Sequence, residues 1–294
     1  MKTKIIFKGD TPNIANVGDT DSIIISGNLY HSNTDKYIPY NYFLDYPPFI
    51  NGFDNSKLDL IHGFKLDKKI LCYNRRPRSH RLVLLYHLLI NPNIKNNSLI
   101  SLGNKTNSFK HSRIADINDL INDEYLSKCI DEYFKNIPTD IGFSTYSLEP
   151  NLGTSFLLEE YNKTFISLVT ETNINKDILF ISEKTYKPIF AQQPFIIMGN
   201  PNTLEYLRSI GFKTFGDWWD ESYDNELDFK KRMYKIINIV ESLCSKSLDE
   251  LTQIRIDMKD ILIHNYKLFI TLEAADDRLK KLGYGKKYKP NKLI

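Results

Sequence analysis

Short apolar runs alternate along the chain with longer stretches of helical periodicity. Lys4–Phe7, Ile23–Ser26, Ile70–Tyr73 and Leu99–Leu102 predict strands in the first half, and Thr164–Val169, Phe195–Met198 and Phe212–Phe215 in the second. Several of these runs are apolar almost without interruption. That pattern marks strands covered on both faces rather than half-exposed antiparallel ones. With helical segments between them, the strands predict parallel α/β layers. The stretch from Pro194 to Phe215 contains one full repeat. Strand Phe195–Met198 meets the turn Gly199-Asn200-Pro201, a helix runs to about Ile210, Gly211 stands where a left-handed helix end is wanted, and Phe212 opens the next strand.

The pattern breaks near 145–163, at Pro150, Asn151, Gly153 and Thr154. This break predicts an N-terminal domain over 1–150 and a C-terminal domain over 151–275, both of ordinary domain size. Beyond Asp224 the chain becomes mostly helical, and Ser247 with Glu250 forms a capping box that opens a long helix through about Leu268. Residues 276–294 form a basic stretch containing Gly283, Gly285 and Pro290, read as a solvated tail.

Composition narrows the class. The 294 residues are 41% hydrophobic and 13% aromatic, enough for a substantial core. A net charge of +3 is small for this length, so a protein that coats nucleic acid is not favoured, although a local basic site is compatible with it. Cys72, Cys129 and Cys244 are odd in number and far apart, which supports neither a disulfide framework nor a structural zinc site. The start MKTKIIFKGD is too short in apolar length for a secretory leader, and the most apolar run, Leu82–Ile90, is too short to span a bilayer. A soluble protein of the cytoplasm is expected. The abundance of Lys, Asn and Ile suggests an AT-rich genome, viral or bacterial, hence a host cytoplasm if viral.

Three clusters carry candidate chemistry. The first follows Ile70–Tyr73 and contains Arg75, Arg76, Arg78, His80 and Arg81. A strand, a loop and then a helix place this loop at the carboxyl end of a parallel sheet, where open α/β folds bind ligands. Forked guanidinium donors and a helix N-terminus both suit phosphate, and the alternative for this cluster is a solvated basic loop with one structural salt bridge. The second, Phe180–Asn200, has Ser182 positioned to cap a helix whose first turn holds Glu183 and Lys184. Glu183 can accept hydrogen bonds from the vicinal hydroxyls of a ribose, and Lys184 and Lys187 bring positive charge. Pro188 lies deep enough to predict a kink or break. Taken alone, this cluster is a capped surface helix with a Glu/Lys pair. The third, Gly211–Asp224, contains Trp218, Trp219, Asp217, Asp220, Glu221 and Asp224. Its aromatics fit either a sugar-stacking surface or a buried wedge, with Trp218, Asp220 and Glu221 the acceptor-side or cleft candidates. Asp19-Thr20-Asp21 has the form of a metal-binding DxD, but it precedes a strand instead of following one and is set aside. HExxH, GxSxG and GxxxxGK[ST] are absent.

Together the first two clusters resemble the α1,3-fucosyltransferase-like (family 10-like) branch of GT-B glycosyltransferases. Asn74 through Arg81, followed by LVLLYHL, is similar to that family's strand, turn and helix-heading arginine, with about one extra residue. TFISLVTETN (Thr164–Asn173) and ISEKTYKPIFAQQPFIIMG (Ile181–Gly199) are similar to its second element, a strand with an acid-Asn pair and then a Thr-Glu-Lys turn, a helix and a proline-led strand. The resemblance covers about 70–215. It implies two Rossmann-like domains facing a cleft, with a helical C-terminal segment. It also implies that Arg81 binds the donor phosphates, Glu183 the ribose, Lys184 the diphosphate, and that Glu171 borders the donor sugar. The Trp-Trp-Asp-Glu-Ser-Tyr-Asp segment resembles one found in virus-borne glycosyltransferases. One departure stands out: the family's general base is a glutamate of the N-terminal domain, whereas no glutamate precedes Glu124 here. Asp45, Asp54 and His31 are the substitute candidates, beside an aromatic stretch at Tyr30–Phe53.

The expected activity is therefore inverting, metal-independent sugar transfer from a nucleotide-diphosphate sugar (GDP- or UDP-linked) to a hydroxyl acceptor, most simply a glycan, with no cofactor. The rivals are a DNA-modifying glycosyltransferase acting on a hydroxylated base and a non-catalytic nucleotide- or glycan-binding protein.

Overall fold

A computed structural model describes residues 4–8, 22–29, 37–39, 41, 44, 64–74, 78–102, 124–125, 128–129, 131–132, 156 and 158–271. Two parallel sheets organise them. The smaller comprises β1 (Lys4–Lys8), β2 (Ser22–Ser26) and β3 (Tyr37–Pro39) in the order β1-β2-β3. Strand β3 escapes the hydrophobic pattern because it is three residues long, and its Pro39 suits an edge position, where a missing amide costs no ladder bond.

The larger sheet comprises β4 (Lys68–Tyr73), β5 (Ser98–Ser101), β6 (Thr164–Thr170) and β7 (Phe195–Met198), ordered β5-β4-β6-β7. Strands β6 and β7 are buried along their whole length, as expected of strands covered on both faces: β7 is wholly apolar, and β6 buries Thr164, Ser167 and Thr170 among its apolar residues. Helix α1 (Ser79–Ile90) and the short α2 (Pro92–Asn96) connect β4 to β5, α3 (Leu158–Lys163) precedes β6, and α4 (Glu183–Phe190) connects β6 to β7. Beyond β7 follow α5 (Thr203–Ser209), α6 (Phe229–Ser245), α7 (Leu248–Asp257) and α8 (Lys259–Thr271). Helix α6 packs on α1 and α2, whereas α4 packs on α8. Right-handed crossovers put the α1 and α4 connections on opposite faces of the sheet, because one steps outward to β5 and the other to β7.

The sheet corrects the expected domain divide. β4 pairs with β6 in register Ile70↔Ile166, so a boundary at 150 would cut through one sheet. The arginine-bearing loop and the Ser182 turn therefore belong to the same layer. A break in periodicity records where the pattern stops, not which strands later pair.

Other expectations change in detail. Phe212–Phe215 forms no strand, because the side-chain amide of Asn265 takes both backbone groups of Lys213: Lys213 N donates to Oδ1 and Nδ2 donates to Lys213 O, each at 2.8 Å. Glu250 and Ser247 form the capping box, but the helix it opens ends at Asp257, and Met258 separates it from α8. Helix α4 runs two residues past Pro188 instead of breaking there. Gly211 does take the left-handed conformation, φ 98°, after α5.

Candidate functional site

In the larger sheet the strand order reverses between β4 and β6, because β5 lies on one side of β4 and β6 on the other. Crevices for ligands form at the carboxyl ends of the strands at such a switch point. Asn74, just beyond β4, and Thr170, the last residue of β6, are joined there by a short side-chain hydrogen bond from the threonine hydroxyl to the amide oxygen. Helix α1 starts on one side of this junction and the β6–α4 loop leaves from the other.

The first turn of α1 reaches across to β6. The Arg81 guanidinium donates from Nη2 to the carbonyl oxygens of Thr170 and Glu171, each at 3.1 Å. His80 Nε2 lies 3.0 Å from the Glu171 carbonyl. A carbonyl only accepts, so Nε2 must carry the ring hydrogen. Both side chains are buried. Burial, followed by repulsion from Arg81 and helped by Arg78 and Arg232, holds His80 well below the usual imidazole range, so it is neutral. Burial and neighbouring Arg78 lower the Arg81 guanidinium to about 10, against the attraction of Glu171 and Glu183. Arg78 at the N-cap of α1 makes no side-chain capping bond and the first turn has no acid, so the helix N-terminus adds to a positive field.

Glu171 is the anchor of the opposite side. It is fully buried, and its carboxylate accepts four hydrogen bonds: from Thr172 N at 3.0 Å, Ser182 N at 3.0 Å, Ser182 Oγ at 2.6 Å and Thr185 Oγ1 at 2.7 Å. The carboxylate thereby staples the end of β6 to the start of α4. Gly199 leaves room for this arrangement, because a Cβ there would lie 3.2 Å from Glu171 Cγ. Ser182 caps α4 as its position predicts, accepting from Lys184 N at 3.4 Å. The Lys184 ammonium bonds Glu183 at 2.7 Å and Ser182 Oγ at 3.2 Å. Burial works against ionisation of Glu183, but Lys184, Lys187 and local hydrogen bonds outweigh it and keep its carboxyl below the usual range. Lys187, one turn further along α4, is lowered by burial to about 8.

The two sequence clusters thus meet at one junction, with Arg78, Arg81, Glu171, Ser182, Glu183, Lys184 and Lys187 on its two sides. Arg75 lies outside the described residues, as do His31, Asp45, Asp54 and the Asp19–Asp21 segment. Arg232 belongs to the same neighbourhood and went unrecognised in the sequence. It is 2% exposed, donates to Glu226 O at 3.1 Å and Ile174 O at 3.4 Å, and its charge acts on His80. The available signal was periodicity: Arg232 shares its helix face with the buried Ile236 and Val240.

The third cluster has a different place. Tyr223 Oη accepts from Ile197 N at 3.3 Å and so covers the outer edge of β7. Phe215 packs on Phe195 with centroids 5.0 Å apart and on Trp219 at 5.3 Å, and Trp218 lies against the same ring at 6.5 Å. Glu221 holds this wedge together by accepting from Thr214 Oγ1 and Phe215 N, each at 2.7 Å, and from Arg208 at 3.2 Å. Asp220 closes a local turn on Ser222. Among the described residues no hydrogen bond or ring contact joins Trp218, Asp220 or Glu221 to the Arg81–Glu183 junction.

Among the described residues no group of three or more His, Cys, Asp or Glu is placed to hold a metal, and no helix is long and apolar enough to cross a membrane. No family model matches this chain, and no curated protein matches its sequence.

Proposed function

We propose that this chain transfers a sugar from a nucleoside-diphosphate donor, with the donor diphosphate at the junction of β4, β6, α1 and α4. The observation that carries this reading is the meeting of Arg81 with the Glu171–Lys184 segment at the switch point of a parallel sheet. Arg78, Arg81, Lys184 and Lys187 supply positive charge for the phosphates, reinforced by the N-termini of α1 and α4. Glu183 supplies an acceptor for ribose hydroxyls. Glu171, whose oxygens already accept four bonds, holds the turn that presents Glu183 and Lys184 and borders the sugar from behind.

The overall arrangement proposed is GT-B-like, two α/β units about a cleft. Supporting it, Leu29 N, just past the carboxyl end of β2, donates at 2.8 Å to Leu179 O in the loop leaving the carboxyl end of β6. The acceptor hydroxyl attacks the anomeric carbon as the bond to the diphosphate oxygen breaks, with inversion, and its proton passes to a base. Asp45, Asp54 and His31 remain the candidates for that base. Guanidinium and ammonium groups stabilise the charge that develops on the departing diphosphate, a task fixed positive groups perform without reorganisation. The acceptor proposed is a glycan or another hydroxyl compound, and the donor GDP- or UDP-linked.

A thermal-shift screen over GDP-, UDP-, dTDP- and CMP-sugars tests this. A ligand that binds only the native state stabilises it by about 2.7 kcal/mol at a hundredfold excess over its dissociation constant. One nucleoside-diphosphate sugar should raise Tm, Lys184→Ala and Arg78→Ala should each reduce that rise, and turnover should survive EDTA. A flat response to every donor would sink the reading.

A further inference from the structure

Two asparagines from the 22–44 region bond to the chain on either side of the Ser182-Glu183-Lys184 turn. Asn28, two residues beyond β2 and 2% exposed, accepts from Leu179 N at 2.9 Å and donates to Asp177 O at 3.4 Å. With Leu29 N donating to Leu179 O, both backbone groups of Leu179 are held by residues 28 and 29 as a neighbouring strand would hold them. On the other side, Asn41 Nδ2 donates to the hydroxyl of Tyr186, a fully buried residue in α4 whose ring stacks on Phe269.

The same loop is also held from the larger sheet: Asn200 accepts from Phe180 N at 3.0 Å and donates to Asn175 O at 2.7 Å. Those bonds would persist wherever the smaller sheet stood. The Asn28 and Asn41 bonds would not, since they run from the segments that follow β2 and β3 to the β6–α4 loop and to α4. Buried hydrogen bonds fix geometry in a way apolar contact does not, because a slipped register leaves donors and acceptors unsatisfied.

We infer that Asn28 and Asn41 are positioning residues through which the three-stranded sheet sets the ligand affinity of the Ser182–Lys184 turn. Neither touches substrate in this account, which rests on the donor-site reading above. Linkage makes the effect reciprocal: if sheet docking favours ligand binding, bound ligand favours docking by the same factor.

The test uses the full chain with Asn28→Ala, Asn41→Ala and both together, GDP and UDP as probes, and two readouts. In ligand-free protein, amide hydrogen exchange over 177–186 should rise about tenfold in the double variant and stay unchanged over 229–245. The nucleoside diphosphate bound by the parent chain should bind about tenfold more weakly, within the usual range of coupling between sites. Adding it to the parent chain should slow exchange over 22–29. Should Asn28→Ala fail to fold, Asn28→Asp, which keeps the acceptor for Leu179 N, and Asn41→Ala decide the matter. Unchanged exchange over 177–186, or raised exchange with unaltered affinity, would overturn the proposal. If neither nucleotide binds the parent chain, the donor reading fails, and the exchange measurement still decides whether the asparagines hold the turn.

Discussion

Glu171 and Lys187 are both buried charges, yet they stand in opposite situations. Glu171 is surrounded by donors from Thr172, Ser182 and Thr185, so its burial serves to join β6 to α4. Lys187 is lowered to about 8 because desolvation outweighs the attraction of Glu183, with Lys184 adding repulsion. Its folded pKa thus lies below the value of about 10.4 for an unfolded lysine. Between about pH 8 and 10.4 the unfolded chain binds more protons at this position, so the contribution of Lys187 to stability rises with pH in that window. Lys187→Met should be the more stable protein near pH 7, and its advantage in Tm should shrink as pH approaches 10. Parallel profiles for the two proteins would show that Lys187 keeps its ordinary pKa. The three thiols offer no comparable chemistry: burial raises Cys72 to about 12 and Cys244 to about 11, and Cys129 is buried as well.

Among the elements, local signals were reliable where a short segment settles its own conformation. The Ser182 cap, the Ser247–Glu250 box and the left-handed Gly211 each depend on a few neighbouring residues, and each is found. Phe212–Phe215 shows the limit of such reading. Its apolar run is that of a strand, but the partner available to it is Asn265 of α8, whose amide presents the same donor and acceptor as a peptide. Asn265→Leu should therefore leave Lys213 N and O without their bonds and destabilise the protein by about 1–3 kcal/mol, measured by urea unfolding. A loss under 0.5 kcal/mol would mean that water replaces the amide at no cost. Tyr223 plays a related part at β7, where a phenol oxygen meets the edge amide of Ile197.

At the scale of the whole molecule, the pairing of β4 with β6 has the widest consequence. It joins strands from 68–101 and from 164–198 in one sheet and brings the arginine-bearing helix start to the Ser182 turn. A chain cut to begin at 151 would lose β4 and β5 and expose an apolar edge of β6. Such a fragment should show no cooperative melting by circular dichroism, whereas one beginning at residue 64 should melt cooperatively. Cooperative melting of the 151–294 fragment would restore the boundary at 150.

From the sequence alone came the α/β class, the parallel strands and both charged clusters, because each depends on hydrophobic periodicity or residue chemistry within a short window. Tertiary structure alone decided that Arg81 faces Glu171, that Arg232 joins their neighbourhood, and that Glu221 and Tyr223 serve an edge strand. These depend on contacts between residues tens of positions apart, and strand order, which sets those contacts, leaves no periodic trace along the chain.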